Sequence, residues 1–180
     1  MAELPRVIGS RTAYEGRLFN VELDEIELAN GVRAYRETLR HPGAVAMVPV
    51  LGDGRIALVT QYRHAAGRRL LEIPAGTLEK GEEPRAAVER ELQEEIGMRP
   101  GRAEAIGGLF VAPGYTTEYI HLFVCDEMVE ARLEGDEDED IEVEVRTLEE
   151  ALGAVDSGEI ADAKSVIGLL RYARWLVARG

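Results

Sequence analysis

The sequence predicts an α+β protein. Strand-like runs fill most of the first 62 residues. Helical periodicity is confined to 84–96, 148–155 and 161–178. The order is mixed, with few helices between strands, which disfavours a doubly wound parallel sheet. An N-terminal antiparallel strand unit is expected over 1–42, ahead of a main domain over 43–180.

Phe19, Val21 and Leu23 alternate, then the phase slips to Ile26 and Leu28, which suggests a bulge. Asn30-Gly31 reads as a type I′ hairpin turn before the run Val32 to Leu39. His41-Pro42-Gly43 breaks the chain. The continuous apolar run from Ala44 to Val50 reads as a buried strand, followed by strands over 55–62 and 70–74. Pro84 suits the first position of a helix and Gly97 its left-handed stop. Strands are expected over 103–111, 118–126 and 141–147. In the last helix Val166, Leu169, Leu170, Ala173 and Leu176 form an apolar stripe, beside which Trp175 reads as packing.

Apolar residues are 46% and charged residues 31%, the balance of a chain with a real core. No apolar run approaches the roughly 18 residues of a membrane span. The first residues lack the pattern of a secretory leader. Lys and Arg number 21 against 34 Asp and Glu, a formal net charge of −13. Such a chain repels nucleic-acid backbones and anionic membranes. A phosphorylated substrate would need metal ions as a bridge. The one cysteine, Cys125, excludes an intrachain disulfide and sits in a strand-like run, so a reduced core thiol in the cytoplasm is expected.

The chemistry concentrates between Gly76 and Met98. Val88, Leu92 and Ile96 define the buried stripe of the helix, and Glu91 and Glu95 fall together beside it. Glu94 lies on the side of Glu91, one turn on. Like charges at these spacings destabilise a helix by a few tenths of a kcal/mol each. Arg90 can neutralise Glu94, but one arginine does not balance three carboxylates. Hard divalent cations take such oxygens together with substrate phosphates. The plain alternative is a solvated acidic helix. The loop before the helix, bounded by Gly76 and Gly81, allows close backbone approach.

This segment resembles the Nudix box. Gly76, Glu82, Arg90, Glu91, Leu92, Glu94, Glu95, Gly97 and Met98 fill its nine fixed positions. A chance match is on the order of one in a million. Gln61-Tyr62-Arg63, the run Leu71 to Gly76, Ala112-Pro113-Gly114 and Asp162-Ala163-Lys164 resemble the ADP-ribose pyrophosphatase branch, which usually carries Ser-Pro-Gly where Ala112 stands. The acidic run Asp136 to Val143 resembles the loop before that branch's last strand.

The resemblance implies an α/β/α sandwich with a mixed sheet, and Mg²⁺- or Mn²⁺-dependent hydrolysis of ADP-ribose to AMP and ribose 5-phosphate. It implies Glu91, Glu94, Glu95 and the Ala75 carbonyl as metal ligands, with Glu95 and Glu94 in the catalytic set. For Glu94 the alternative is an ion pair with Arg90. Glu82 and Arg90 are implied as a scaffold pair. Glu139, with Glu137 as the other candidate, would join the metal site or activate water; the alternative is a solvated loop. Arg63 and Glu72 are implied as substrate contacts, Arg63 having an ordinary surface role as its alternative. Arg36, Glu37 and Arg40 would reach the adenosine of the partner subunit in a homodimer. The rivals are a hydrolase of another nucleoside diphosphate sugar such as GDP-mannose, and a nucleotide sensor without catalysis.

Overall fold

The structure is a computed structural model that describes residues 3–135 and 140–179. The candidates Glu137 and Glu139 lie outside the described residues. The chain forms two compact units, Met1–Gly43 with Phe110–Tyr119, and Ala44–Leu109 with Ile120–Gly180. Phe110–Tyr119, expected in the main domain, thus belongs to the first unit.

The first unit holds the antiparallel sheet β1 (Arg6–Glu15), β2 (Asn20–Glu27) and β3 (Arg33–Arg40), with β2 in the centre. The phase slip in β2 is not a bulge: β2 alternates regularly, with Val21 and Leu23 on one face and Ile26 on the other. The register shifts fall in β1, between Val7 and Gly9 and between Thr12 and Tyr14, while β2 and β3 pair without a break. The hairpin turn also differs from type I′. The Gly31 N–H donates to Leu28 O at 2.8 Å, and Leu28 N–H to Val32 O at 2.9 Å. Gly31 has φ +79°, whereas Asn30 is not left-handed. This is the three-residue loop with one left-handed glycine, and its different register removes the need for a second positive φ. Phe110–Tyr119 docks on β3: Leu39 N–H donates to Tyr115 O and Thr117 N–H to Leu39 O, at 2.8 and 2.9 Å.

The second unit is built around β4 (Ala44–Pro49), buried along its whole length. After it come β5 (Ile56–Arg63), β6 (Arg68–Glu72) and β7 (Ala75–Thr77). Helix α1 (Pro84–Glu95) follows, then β8 (Met98–Arg99), β9 (Arg102–Phe110), β10 (Tyr119–Asp126), β11 (Val129–Glu130) and β12 (Glu142–Arg146). The chain ends with α2 (Leu148–Ser157) and α3 (Ala163–Val177). The main sheet has order β7-β4-β10-β9, parallel at β4–β10 and antiparallel at β4–β7; a second has order β12-β5-β6.

Strand alternation sorts two cores. Val45, Met47, Ala57, Val59, Phe123 and Cys125 pack with Ala87, Val88 and Leu92 of α1. Ala46, Val48, Leu58, Leu122 and Val124 pack with Ala151 of α2 and Leu169 of α3. A strand covered on both faces must be apolar throughout, as Ala44 to Val48 is. Cys125 is wholly buried, and desolvation pushes its thiol up to about 12. Among the described residues no helix is long and apolar enough to cross a membrane.

Candidate functional site

The site grows from the junction of β6, β7 and α1. Pro74 cannot donate to a ladder, so the strand expected over 70–74 ends at Glu72 and restarts as β7 at Ala75. Across this break the backbone is fixed group by group. Pro74 O accepts from Met47 N–H at 2.9 Å. The Ala75 N–H donates to Glu95 Oε2 at 3.0 Å. Gly76 has no side chain where the Glu91 carboxylate lies: a Cβ there would meet Glu91 Cδ and both its oxygens well inside 3.0 Å. The glycine is thus required by close approach of a carboxylate to the backbone.

Glu91 and Glu95 are buried, 9% and 5% exposed. Helix α1 can hold them there because Pro84 opens it and Gly97, at φ +70°, ends it, which fixes the phase of its stripe. Arg90 is the hub of the charge pattern. Its Nη2 donates to Glu82 Oε2 at 3.0 Å and Nε to Glu82 Oε1 at 3.1 Å. Its Nη1 donates to Glu91 Oε1 at 2.6 Å and Glu94 Oε2 at 3.0 Å, and Nη2 also reaches Thr77 O at 3.3 Å. These bonds, first those to Glu82, raise the Arg90 pKa above its ordinary value. The Arg90 bonds hold the Glu82 carboxyl below its ordinary 4.5.

Among the described residues no three His, Cys, Asp or Glu side chains stand together as a ready-made metal cage. The donor set nevertheless fits a hard divalent cation. Two buried carboxylates face loop backbone that a Cβ would fill, and every donor there is oxygen.

Glu72, 2% exposed, accepts from Arg63 Nη2 at 2.7 Å and Nε at 3.1 Å. Lys164 Nζ lies 2.9 Å from Glu72 Oε2 and 2.8 Å from Asp162 Oδ1. Arg63 is therefore no ordinary surface arginine, although 37% of its side chain stays exposed. The sequence showed Asp162-Ala163-Lys164 as a motif without a role; Lys164 binding a buried glutamate on β6 is the feature that sequence reasoning missed.

On β3, Arg36, Glu37 and Arg40 are all exposed. The pleat puts Arg36 and Arg40 on one face and Glu37 on the other. Arg40 Nε donates to Glu22 Oε2 at 2.6 Å and its Nη2 to the buried Asp24 at 3.3 Å.

The NUDIX domain family model matches residues 40–167. An "ADP-ribose pyrophosphatase" of Bacillus subtilis (strain 168) is 39% identical over 166 residues, covering 91% of this chain and 90% of that protein. A "Methanol dehydrogenase activator" of Bacillus methanolicus is 37% identical with the same coverage. A solved structure titled "Crystal structure of ADP compounds hydrolase" superposes with a TM-score of 0.89 at 26% identity, covering 100% of this chain and 98% of that one. Fold and site together define a hydrolase of small nucleotide derivatives. The chain belongs to the Nudix family, whose hydrolases generally need divalent metal ions.

Proposed function

We propose that this chain hydrolyses the pyrophosphate of ADP-ribose to AMP and ribose 5-phosphate, with Mg²⁺ or Mn²⁺ as its ion. The observation that carries the reading is the seating of Glu91 against Gly76 beside the Glu95–Ala75 hydrogen bond. It sets two buried carboxylates against one stretch of loop backbone. The choice of ADP-ribose is supported by the names of the relatives.

Glu91, Glu94, Glu95 and the Ala75 carbonyl would hold the ion. Bound there, it supplies charge neutralisation on the pyrophosphate oxygens and a more acidic water. Glu139, with Glu137 as the alternative, accepts the proton of the attacking water. A new P–O bond forms to one phosphorus, the bridging P–O bond breaks, and the bridging oxygen leaves with the other phosphate. Arg63, anchored through Nε and Nη2, turns its remaining edge to the pyrophosphate. Glu72 fixes that orientation from beneath. The wholly buried thiol of Cys125 suits a reducing cytoplasm.

A homodimer belongs to the same reading. Arg36, Glu37 and Arg40 would approach the adenosine held by the partner subunit. The exposed Tyr14 and Tyr35, on one face of the first unit's sheet, support an interface there. Light scattering should report twice 19.8 kDa. Mixing Arg40→Ala with Glu95→Gln subunits should regenerate one intact site per heterodimer; a fully active monomer would exclude the arrangement.

The substrate assignment is tested by supplying Mg²⁺ with ADP-ribose, GDP-mannose, NADH or dinucleoside polyphosphates and identifying the products by chromatography. ADP-ribose should give the highest kcat/KM, by at least about tenfold. A preference for GDP-mannose would move the chain to that substrate, and cleavage of none would favour a sensor.

A further inference from the structure

The N-terminal end of α3 lies against the backbone that carries the site, and nothing in the proposed chemistry uses it. Ser165 is fully buried. Its Oγ accepts the Ile73 N–H at 2.9 Å, across 92 residues of sequence. Ile73 lies just beyond β6, where the chain has left its ladder, so a buried N–H there needs an acceptor from elsewhere. One residue earlier, Lys164 holds Glu72. One turn later, α3 approaches so closely at Gly168 that a Cβ would stand 2.7 Å from Ile73 Cδ1. Asp162 ties the arrangement together, its Oδ1 accepting from both Ser165 N–H and Lys164 Nζ.

Helix α3 therefore grips residues 72 and 73, β4 grips residue 74, and Glu95 of α1 takes the N–H of residue 75. We infer that Lys164 and Ser165 are positioning residues: they set where Ala75 and Gly76 meet Glu95 and Glu91, and hence how well the loop and helix hold a divalent ion. This rests on the proposed assignment of that loop and helix as the metal site, but not on the identity of the substrate.

The test is Mn²⁺ binding to the intact protein without substrate, followed by electron paramagnetic resonance, in Lys164→Met and Ser165→Ala. Melting temperatures and ADP-ribose kinetics accompany it. Lys164→Met keeps the length of the side chain and removes its charge, and it decides alone if Ser165→Ala does not fold. The expected result is at least a fivefold weaker Mn²⁺ dissociation constant, with kcat reduced at least tenfold and KM for ADP-ribose within about twofold. Lys164→Arg should restore most of the affinity. A lowered melting temperature with Mn²⁺ affinity within twofold of wild type would overturn the inference and leave α3 as structural support only. Failure of the wild type to cleave ADP-ribose while Lys164→Met still loses Mn²⁺ would sink the substrate reading and keep this one.

Discussion

Replacing Gly76 by alanine adds one methyl group at the most crowded point of the site. The backbone there is not left-handed, so the change costs nothing in φ. Its effect is steric. The new Cβ would overlap Cδ and both oxygens of Glu91. To reach ordinary contact at about 3.5 Å the carboxylate must retreat by more than ~1 Å. It is buried and held by Arg90 at 2.6 Å, so the movement also disturbs the ion pair. Overpacking of this kind typically costs about 1–3 kcal/mol. For a chain of this length each kcal/mol lowers the melting temperature by about 2–4 °C, so a fall of ~2–12 °C is expected. A reacting group displaced by about 1 Å can lose ~100-fold in rate. Gly76→Ala should therefore lower kcat at least ~100-fold while the protein stays folded. Gly52→Ala, with nothing within 4 Å of its Cβ, is the control and should match wild type. Scanning calorimetry and steady-state kinetics at saturating Mg²⁺ check both. A Gly76→Ala enzyme within threefold of wild-type kcat would refute the placement of Glu91 in the chemistry.

Glu95→Gln is nearly isosteric, keeps an acceptor for Ala75 and relieves repulsion with Glu91; it should hold or slightly raise the metal-free melting temperature while removing most activity, and kcat within about threefold of wild type would overturn the role given to Glu95. Glu139→Gln should lower kcat far more than it raises KM, whereas Asp136→Asn should do little; equal effects in parallel kinetics would reduce the loop to bulk charge. The Glu82 carboxyl is held below 4.5 by Arg90, so its stabilisation is fully present above that pH and is lost as pH falls through the folded value. Glu82→Gln should thus melt below wild type at neutral pH, and the gap should narrow progressively as melts are taken at pH values further below 4.5; a constant gap would show that Glu82 acts by packing alone.

Much of the site was legible because its signals are local. Pro84 and Gly97 punctuate α1, and the spacing of Val88, Leu92 and Ile96 puts Glu91 and Glu95 beside its buried stripe. Less could be read where the partner is remote. The sequence offers Arg90 both Glu82 and Glu94 as partners, and one guanidinium has enough N–H groups to serve both and Glu91 as well. The grip of Lys164 and Arg63 on Glu72 joins three elements, and no periodicity encodes it. Asn30-Gly31 alone does not fix the turn, because a left-handed Gly31 serves two loop types; the register of Leu28 against Val32 chooses between them. The phase slip from Leu23 to Ile26 suggests a bulge but reflects a strand with apolar side chains on both faces, while the extra residues sit in β1, whose sequence carries no such slip.

The docking of Phe110–Tyr119 on β3 has a consequence for the order in which the chain can mature. Strands β1 to β3 leave the ribosome before Tyr115 and Thr117, and the bonds that Leu39 makes with those two residues close a loop of more than 70 residues. At about 5–20 residues per second, several seconds pass before those partners are synthesised. Until then the outer edge of β3 stands open, with Tyr35 beside it and available to other nascent strands. A sheet made early is thus completed late, and a fragment ending near Gly43 should aggregate where the full chain does not.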